Sequence, residues 1–457
     1  MYRYAPFFKC NPEDLNIQIG GLNSDLSNSH GADSAAYMPY YDIESDYGWS
    51  HLYHLIDTLN TVPEEIEKVL NVDRTLWMHA LNYSMVNFDS YIGYGQNYYL
   101  YLDQANQFNP IIWDLNMSFG SFRLTDASQL FYGGFDISQA QNMDPLVHHN
   151  FISVAPRPLM TTLFESERNR KMYLAHIRTV MDENFVNQDY STRADSLKEM
   201  ISQDVLNDPN KFYSNDDFNA NINDQVPLVS SICPGITQLM DARAEYLSAY
   251  PGYSGAPEIS NISNTSEGMM LGTDVWINAE IADATYAQLS YRFGNNQRFV
   301  STQMFDDGNH NDGNAGDGFY GCKIEDCSNS VDYYLYADNA SSGVFSPVRA
   351  AYEFYHIQSN ISSGDLVINE VMSNNLSIAA DPSDTFEDWI ELYNTTEFPI
   401  STNNLYLSDD LLNTLKWQLP NHVIPPNDYY VIWADEDGNQ GEEHSNFQLS
   451  NAGETIT

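Results

Sequence analysis

Basic residues are scarce in this chain. Nineteen Lys and Arg stand against 63 Asp and Glu, a formal net charge of −44. Such a field repels nucleic acid and anionic membranes, so neither is an expected partner. It keeps the chain soluble, draws divalent cations and suits a salty extracellular medium. Cysteine is scarcer still: Cys10, Cys233, Cys322 and Cys327 are all there is, and no two form a CxxC pair. A zinc ribbon is therefore excluded. Cys322 and Cys327 flank Lys-Ile-Glu-Asp, a spacing that fits a small disulfide loop across a hairpin. Cys10 and Cys233 fit a bridge across the first domain. Buried free thiols are the alternative in both cases. No apolar run reaches the ~20 residues that span a bilayer. The opening MYRYAPFFKCNPEDL has no apolar core segment and no small-residue cleavage site, so no signal peptide is visible. Both ends of the chain read as cut, and a leader is expected upstream of Met1.

What is present argues for a packed, multidomain protein. The chain has 457 residues, 42% hydrophobic and 13% aromatic, which fits roughly 2–4 domains. Residues 1–252 read as α-rich with a few strands. Thr61-Val62-Pro63-Glu64 is a capping-box pattern with Pro in the first turn. Behind it Ile66, Val69, Leu70, Leu76, Trp77, Ala80 and Leu81 recur at helical spacing, predicting one amphipathic helix to about Val86. Asn97–Leu102 and Asn109–Trp113 read as two strands of a hairpin. Further helices are predicted over Pro158–Asn184, Thr192–Val205 and Gly235–Tyr250. Residues 257–357 change character. Asp274–Ile281, Gln288–Phe293, Phe299–Met304 and Val331–Ala337 read as strands of a small β-sandwich, behind a Ser/Asn-rich segment at 260–267. After a Ser/Gly linker at 359–364, residues 364–457 again read as short strands at Leu366–Val371, Trp389–Tyr393, Tyr406–Ser408 and Tyr429–Trp433.

The chemistry concentrates in the first part. Asp89 follows the predicted helix, where the helix dipole disfavours a carboxylate. A solvated loop is the bland explanation of Asp89 taken alone. The hairpin adds to it: Asn97 opens the first strand and Asp114 closes the second, so the two should be neighbours. Asp89 enters the same end. An Asp for a hydroxyl, an Asn, and an Asp for a metal are the parts list of phosphoryl transfer by protein kinases. In that arrangement Asn97 and Asp114 would carry Mg²⁺.

The runs NFDSYIGYGQNYYLY and IIWDLNMSFG resemble the spore-coat CotH kinase family, bacterial atypical protein kinases that are secreted or spore-associated. YYDIESDYGWSHLYHLIDTLN before them and RPLMTTLFESERNRKMYLAHI after them are similar to the same family. The resemblance covers roughly residues 1–250. It implies a kinase-like α-rich lobe with Asp89 as catalytic residue, Asp114 as metal ligand, ATP as phosphoryl donor, Mg²⁺ or Mn²⁺, and protein Ser/Thr acceptors. Asn116 stands where the family often has a second Asp, which implies a weaker, uncharged oxygen ligand there. Met1-Tyr2-Arg3 resembles the strand closing the family's nucleotide lobe, so that lobe is expected upstream. LVINEVMSNN, DWIELYN, LYLSDD and KWQLPNHVIPPNDYYVIWAD resemble a lamin-tail domain, an immunoglobulin-like β-sandwich. That implies a binding or anchoring module with a surface or extracellular partner, and Asp388, Trp389 and Glu391 as strand and packing residues.

Between these parts, residues 306–318 place Asp306, Asp307, Asn309, Asn311, Asp312 and Asp317 among glycines. Either they bind Ca²⁺ or they only make turns. The glycine falls one place late for an EF-hand and no Glu follows at the right distance. His148-His149 has no partner at ligand spacing and reads as a helix-start or core pair. Three function classes result: a secreted or cell-surface ATP-dependent protein kinase, a non-catalytic coat scaffold or adhesin, and a calcium-stabilised adhesin.

Overall fold

The computed structural model describes residues 5–12, 24–123, 134–150, 156–228, 231–265, 273–294, 296–327, 330–357, 363–397, 399–402, 405–453 and 455–457. Met1-Tyr2-Arg3 and most of the 359–364 linker lie outside these. The architecture is an α-rich lobe followed by antiparallel β-domains. Buried side chains gather in three main cores, spanning residues 8–253, 275–357 and 390–449.

In the lobe, strands β1 (Phe7–Cys10), β2 (Asp42–Ile43), β3 (Tyr98–Leu102) and β4 (Phe108–Ile112) form one sheet in the order β2-β1-β3-β4. The hairpin pairs Tyr98 with Ile112 and Leu102 with Phe108. The helix Val72–Ser84 lies behind it with most of its residues buried. The single helix expected from Thr61 to Val86 is instead two pieces, a 3₁₀ segment Pro63–Lys68 and the helix Val72–Ser84, and Thr61 ends a separate helix, Trp49–Thr61. Sheet pairing wins over helical propensity here. Phe108 N–H donates to Val69 O at 2.8 Å and Asn71 N–H to Phe108 O at 2.9 Å, which pulls 69–71 out of the helical ladder. Asn71 then caps a new helix by accepting from Arg74 N–H. Pro158–Asn184 is also in pieces, Pro158–Thr161, a 3₁₀ turn Leu163–Glu165 and the helix Glu167–Asn184, which Ser166 caps.

The middle domain is a sandwich of a five-stranded and a three-stranded sheet. Two expectations change in it. Glu258–Asn264, read as part of a Ser/Asn-rich connection, is an edge strand paired with Thr273–Ala282; Asn261 and Ser263 face outward while Ile259 and Ile262 pack on the core. Cys322 and Cys327 lie on one strand, Phe319–Cys327, and not across a hairpin, so they form no bridge. Cys10 and Cys233 are likewise free.

The sandwich is welded to the lobe. The strand Val331–Asp338 is buried at every residue because both of its faces are covered. Val331, Tyr333, Leu335 and Ala337 fill the sandwich core. Tyr334 and Tyr336, on the other face, join Phe345, Ala350 and the helical residue Ala175 in a separate cluster. Trp77 Nε1 donates to Ala350 O at 2.9 Å, and the His176 ring stacks between Trp77 and Phe345 at 4.1 and 4.8 Å. Arg178 and Lys171 reach the carbonyls of Gly343 and Asn339.

The last domain is an Ig-like set of short antiparallel pairs around Ile390, Leu392, Ile424 and Ile432. Trp389 is buried and Asp388 caps the turn at Asn374 and Asn375 with Oδ1. Glu391 accepts from Asn369.

Candidate active site

The loop between the helix Val72–Ser84 and strand β3 carries Asp89. Its path is fixed from behind. Arg157, wholly buried, donates to Gly93 O at 2.7 Å. Tyr91 Oη donates to Asp25 O and accepts from Leu159 N–H, both at 2.9 Å. Gly93 is required, since a Cβ there would collide with the Phe88 carbonyl. A short helix, Tyr91–Tyr94, begins just after Asp89 with Ser90 as its cap. Asp89 therefore lies between one helix end and another helix start, not simply against a C-terminal dipole.

Asn97 and Asp114 meet at the open end of the hairpin. Trp113 N–H donates to Asn97 O at 3.2 Å, one position before Asp114. Asn97 Nδ2 donates to Asp89 O at 2.8 Å, and Gln96 Nε2 donates to Asp89 Oδ1 at 2.6 Å. Burial pushes the Asp89 carboxyl up from its ordinary value, and the Asp114 charge pushes the same way against the Gln96 and Asn97 hydrogen bonds. Thus the structure brings Asp89, Asn97 and Asp114 together. Asp114 is exposed, and its carboxylate accepts no hydrogen bond among the described residues. Asn116 is exposed in the 3₁₀ turn Leu115–Met117, with no contact to Asp89 or Asp114 among the described hydrogen bonds.

The backbone here is held in unusual conformations. Val86, Asn97, Asp114 and Phe119 all have φ between 50° and 59°, the left-handed region that non-glycine residues seldom adopt. Such residues cost about 1–3 kcal/mol each and persist only where the surroundings over-determine them. Phe119 and Gly120 N–H donate back to Met85 and Val86 O, at 2.8 and 3.2 Å, and lock the exit from the Asp114 turn. Two buried oxygens beside this lock, Asn87 Oδ1 and Ser118 Oγ, have no hydrogen-bond partner among the described residues. A free carboxylate, close enough to a second one to raise its pKa, fits a hard divalent cation held by Asp114, with Asn97 as the second ligand. An apolar groove of 890 Å³ adjoins the lock, lined by Met85, Phe119, Tyr190, Leu197, Ile201 and Ile236 among others.

Two supporting residues escaped the sequence reading. Gln96 precedes Asn97 and reads as one more turn residue. Arg157 carried a signal: an Arg before Pro at a helix start, in a chain with few cations. His148 behaves as a core residue; its Nδ1 bonds the Tyr83 hydroxyl and burial pushes its pKa down to about 3.

The loop 306–318 is organised differently. Asp312 accepts from the N–H groups of Asp307, Gly308 and His310, and Asp306 from those of Gly316, Asp317 and Gly318. Asp317 accepts from Asn314 and Phe319 N–H, and Asp307 from Asn309 N–H and His310 Nδ1. Asn311 bonds Asn278. These carboxylates cap turns, and the hydrogen bonds lend no support to calcium.

Residues 7–233 match the family described as CotH kinase protein, and residues 359–457 match the Lamin Tail Domain. This chain carries a CotH-family domain followed by a lamin-tail domain. No curated protein matches it. The matched CotH region contains Asp89, Asn97, Gln96 and Asp114 in one stretch, together with Arg157 and the helices that support them. Among the described residues no helix is long and apolar enough to cross a membrane.

Proposed function

We propose that the CotH domain transfers the γ-phosphoryl of ATP to a Ser or Thr hydroxyl of a protein acceptor. The observation that carries this reading is the Asp89–Asp114 pair, one carboxylate half-buried with a raised pKa and the other free and exposed. The raised pKa makes Asp89 a better base for a hydroxyl proton. The hydroxyl oxygen forms a bond to the γ-phosphorus as the bond to the β–γ bridging oxygen breaks; ADP leaves, and Asp89 takes the hydroxyl proton. Asp114 and Asn97 would hold Mg²⁺ or Mn²⁺, which neutralises phosphate charge. Gln96 and Asn97 hold Asp89 in place throughout. The lamin-tail domain serves as the anchoring or binding module, and a place outside the cell or at its surface fits the strongly acidic composition.

Incubation with γ-labelled ATP, Mg²⁺ or Mn²⁺, and dephosphorylated casein tests the reading. Label should enter the casein or the protein itself, and Asp89→Asn and Asp114→Asn should abolish it. Equal labelling by the wild type and both variants overturns it.

A second reading, a non-catalytic coat scaffold or adhesin, has its own observation. Among the described residues no Lys or Arg pairs with Asp89 or Asp114. A folded protein that binds no ATP analogue with either metal would select this reading.

A further inference from the structure

The lamin-tail domain holds a buried cluster that phosphoryl transfer does not use. Asp381 lies in the connection between the strands Leu366–Met372 and Trp389–Asn394. Asp435 follows the strand Tyr429–Trp433. Trp433 fixes His444 beside it: Trp433 N–H donates to Glu443 O at 2.9 Å and Ser445 N–H to Trp433 O at 2.8 Å. One ligand-capable atom from each of Asp381, Asp435 and His444 lies within 4.8 Å of the others. All three are sealed from solvent: Asp381 is 4% and His444 3% exposed, and the Asp435 side chain 2%.

A hydrogen-bonded triad does not account for every atom. His444 Nδ1 lies 2.5 Å from Asp435 Oδ2, so one imidazole nitrogen is committed to Asp435. Asp381 Oδ1 accepts from Ser383 and Thr385 N–H, which fixes the carboxylate. Asp381 Oδ2 is buried with no hydrogen-bond partner among the described residues. A desolvated carboxylate oxygen without a donor is among the costliest arrangements in a folded protein. Gln440 Oε1, four residues before His444, is buried and partnerless too, while its Nε2 is held by Asp437.

We propose that Asp381, Asp435 and His444 bind one divalent transition-metal ion, with zinc preferred and the Gln440 amide oxygen or a water completing the shell. One imidazole with two carboxylates matches zinc, and less well manganese. Calcium takes oxygen ligands alone, which an imidazole does not supply. Ligand atoms on a tetrahedral zinc sit about 3.3 Å apart, given Zn–N and Zn–O near 2.0–2.1 Å. The Nδ1–Oδ2 pair would open by less than ~1 Å, exchanging its hydrogen bond for two metal bonds. The ion would staple three separate segments at one edge of the domain. The contrast with Asp307, His310 and Asp312, which also lie close together, is that both oxygens of the buried Asp312 there accept backbone N–H groups, whereas Asp381 Oδ2 accepts none among the described residues.

The test uses the whole chain, stripped with chelator and titrated with ZnCl₂, MnCl₂, CaCl₂ and MgCl₂. One zinc equivalent should bind, unaffected by Asp114→Asn, and His444→Ala and Asp381→Asn should each weaken it at least tenfold. Co²⁺ in the wild type should give visible d–d absorption. Zinc should also slow amide exchange in 381–385 and 433–445 of the wild type, a readout that survives if a variant misfolds. Zinc affinity equal in wild type and folded His444→Ala, or no exchange protection in these segments, overturns the proposal.

Discussion

The Asp89–Asp114 pair and the 306–318 loop are both acidic, both surrounded by Asn and Gly, and both readable as cation sites. They differ in where their oxygens point. In the loop, Asp306, Asp307, Asp312 and Asp317 accept backbone N–H groups of the same loop, so the chain solvates its own charge. At the hairpin end, Asp114 accepts none, and Asp89 has only a side-chain amide on one oxygen. Acid density alone therefore does not mark a site. A carboxylate left without donors and coupled to a second, half-buried carboxylate is what sets the hairpin end apart.

The largest test of this contrast removes one carboxylate from each place. Asp114→Ala should cut label transfer about 10³-fold, the scale of losing one group that stabilises transition-state charge. Its melting temperature should change little, because Asp114 is exposed and makes no hydrogen bond among the described residues. Asp312→Ala should do the reverse. It removes a side chain that is 1% exposed and the acceptor of the Asp307, Gly308 and His310 N–H groups, costs about 2 kcal/mol, and leaves transfer unchanged. Urea unfolding together with transfer assays on both variants checks the pair.

The two places should also respond to pH with opposite sign. Asp89 has a folded pKa above the ordinary 3.8. Its contribution favours folding below that value and is lost as pH rises from there through the raised value. Asp312 runs the other way. Burial alone would raise it, but the N–H groups of His310, Asp307 and Gly308 outweigh burial and hold it below 3.8. Its contribution is fully present above that value and is lost as pH falls through the depressed one. Urea midpoints measured across the acid range should show the first slope vanish in Asp89→Asn and the second in Asp312→Asn. At neutral pH Asp89→Asn should be more stable than wild type by about 1 kcal/mol, the usual consequence of relaxing a functional carboxylate.

Much of the hairpin end was legible because its logic is local. The strand ends and turn residues predict that Asn97 and Asp114 meet, and the register bears that out within one position. The CotH-like lobe and the Ig-like lamin-tail domain were readable from their motif strings for the same reason. What was not legible depends on pairing between distant segments. The helix broken at Val69–Asn71 needed Phe108, and the strand Val331–Asp338 gave no sign that its second face would meet Ala175. The strand Phe319–Cys327 hid behind a spacing that fits a disulfide equally well. The cluster of Asp381, Asp435 and His444 joins residues more than fifty positions apart, with no motif to announce it.

The smallest expected effect asks whether the hairpin site is short of charge. Asn116 follows Asp114 by two residues and is exposed, so a carboxylate there can reach a cation held by Asp114 without repacking anything. Asn116→Asp should strengthen Mg²⁺ or Mn²⁺ binding about fivefold, the equivalent of ~1 kcal/mol for one added partly screened charge. Without metal the same change should lower stability slightly, because a third negative charge then joins Asp89 and Asp114. Titration calorimetry on Asn116→Asp and on Asn116→Asp with Asp114→Asn separates the outcomes. Tightening that requires Asp114 places the ion at the hairpin end. Tightening that persists without Asp114 would mean that Asn116 reports only on the diffuse acidic field of the chain.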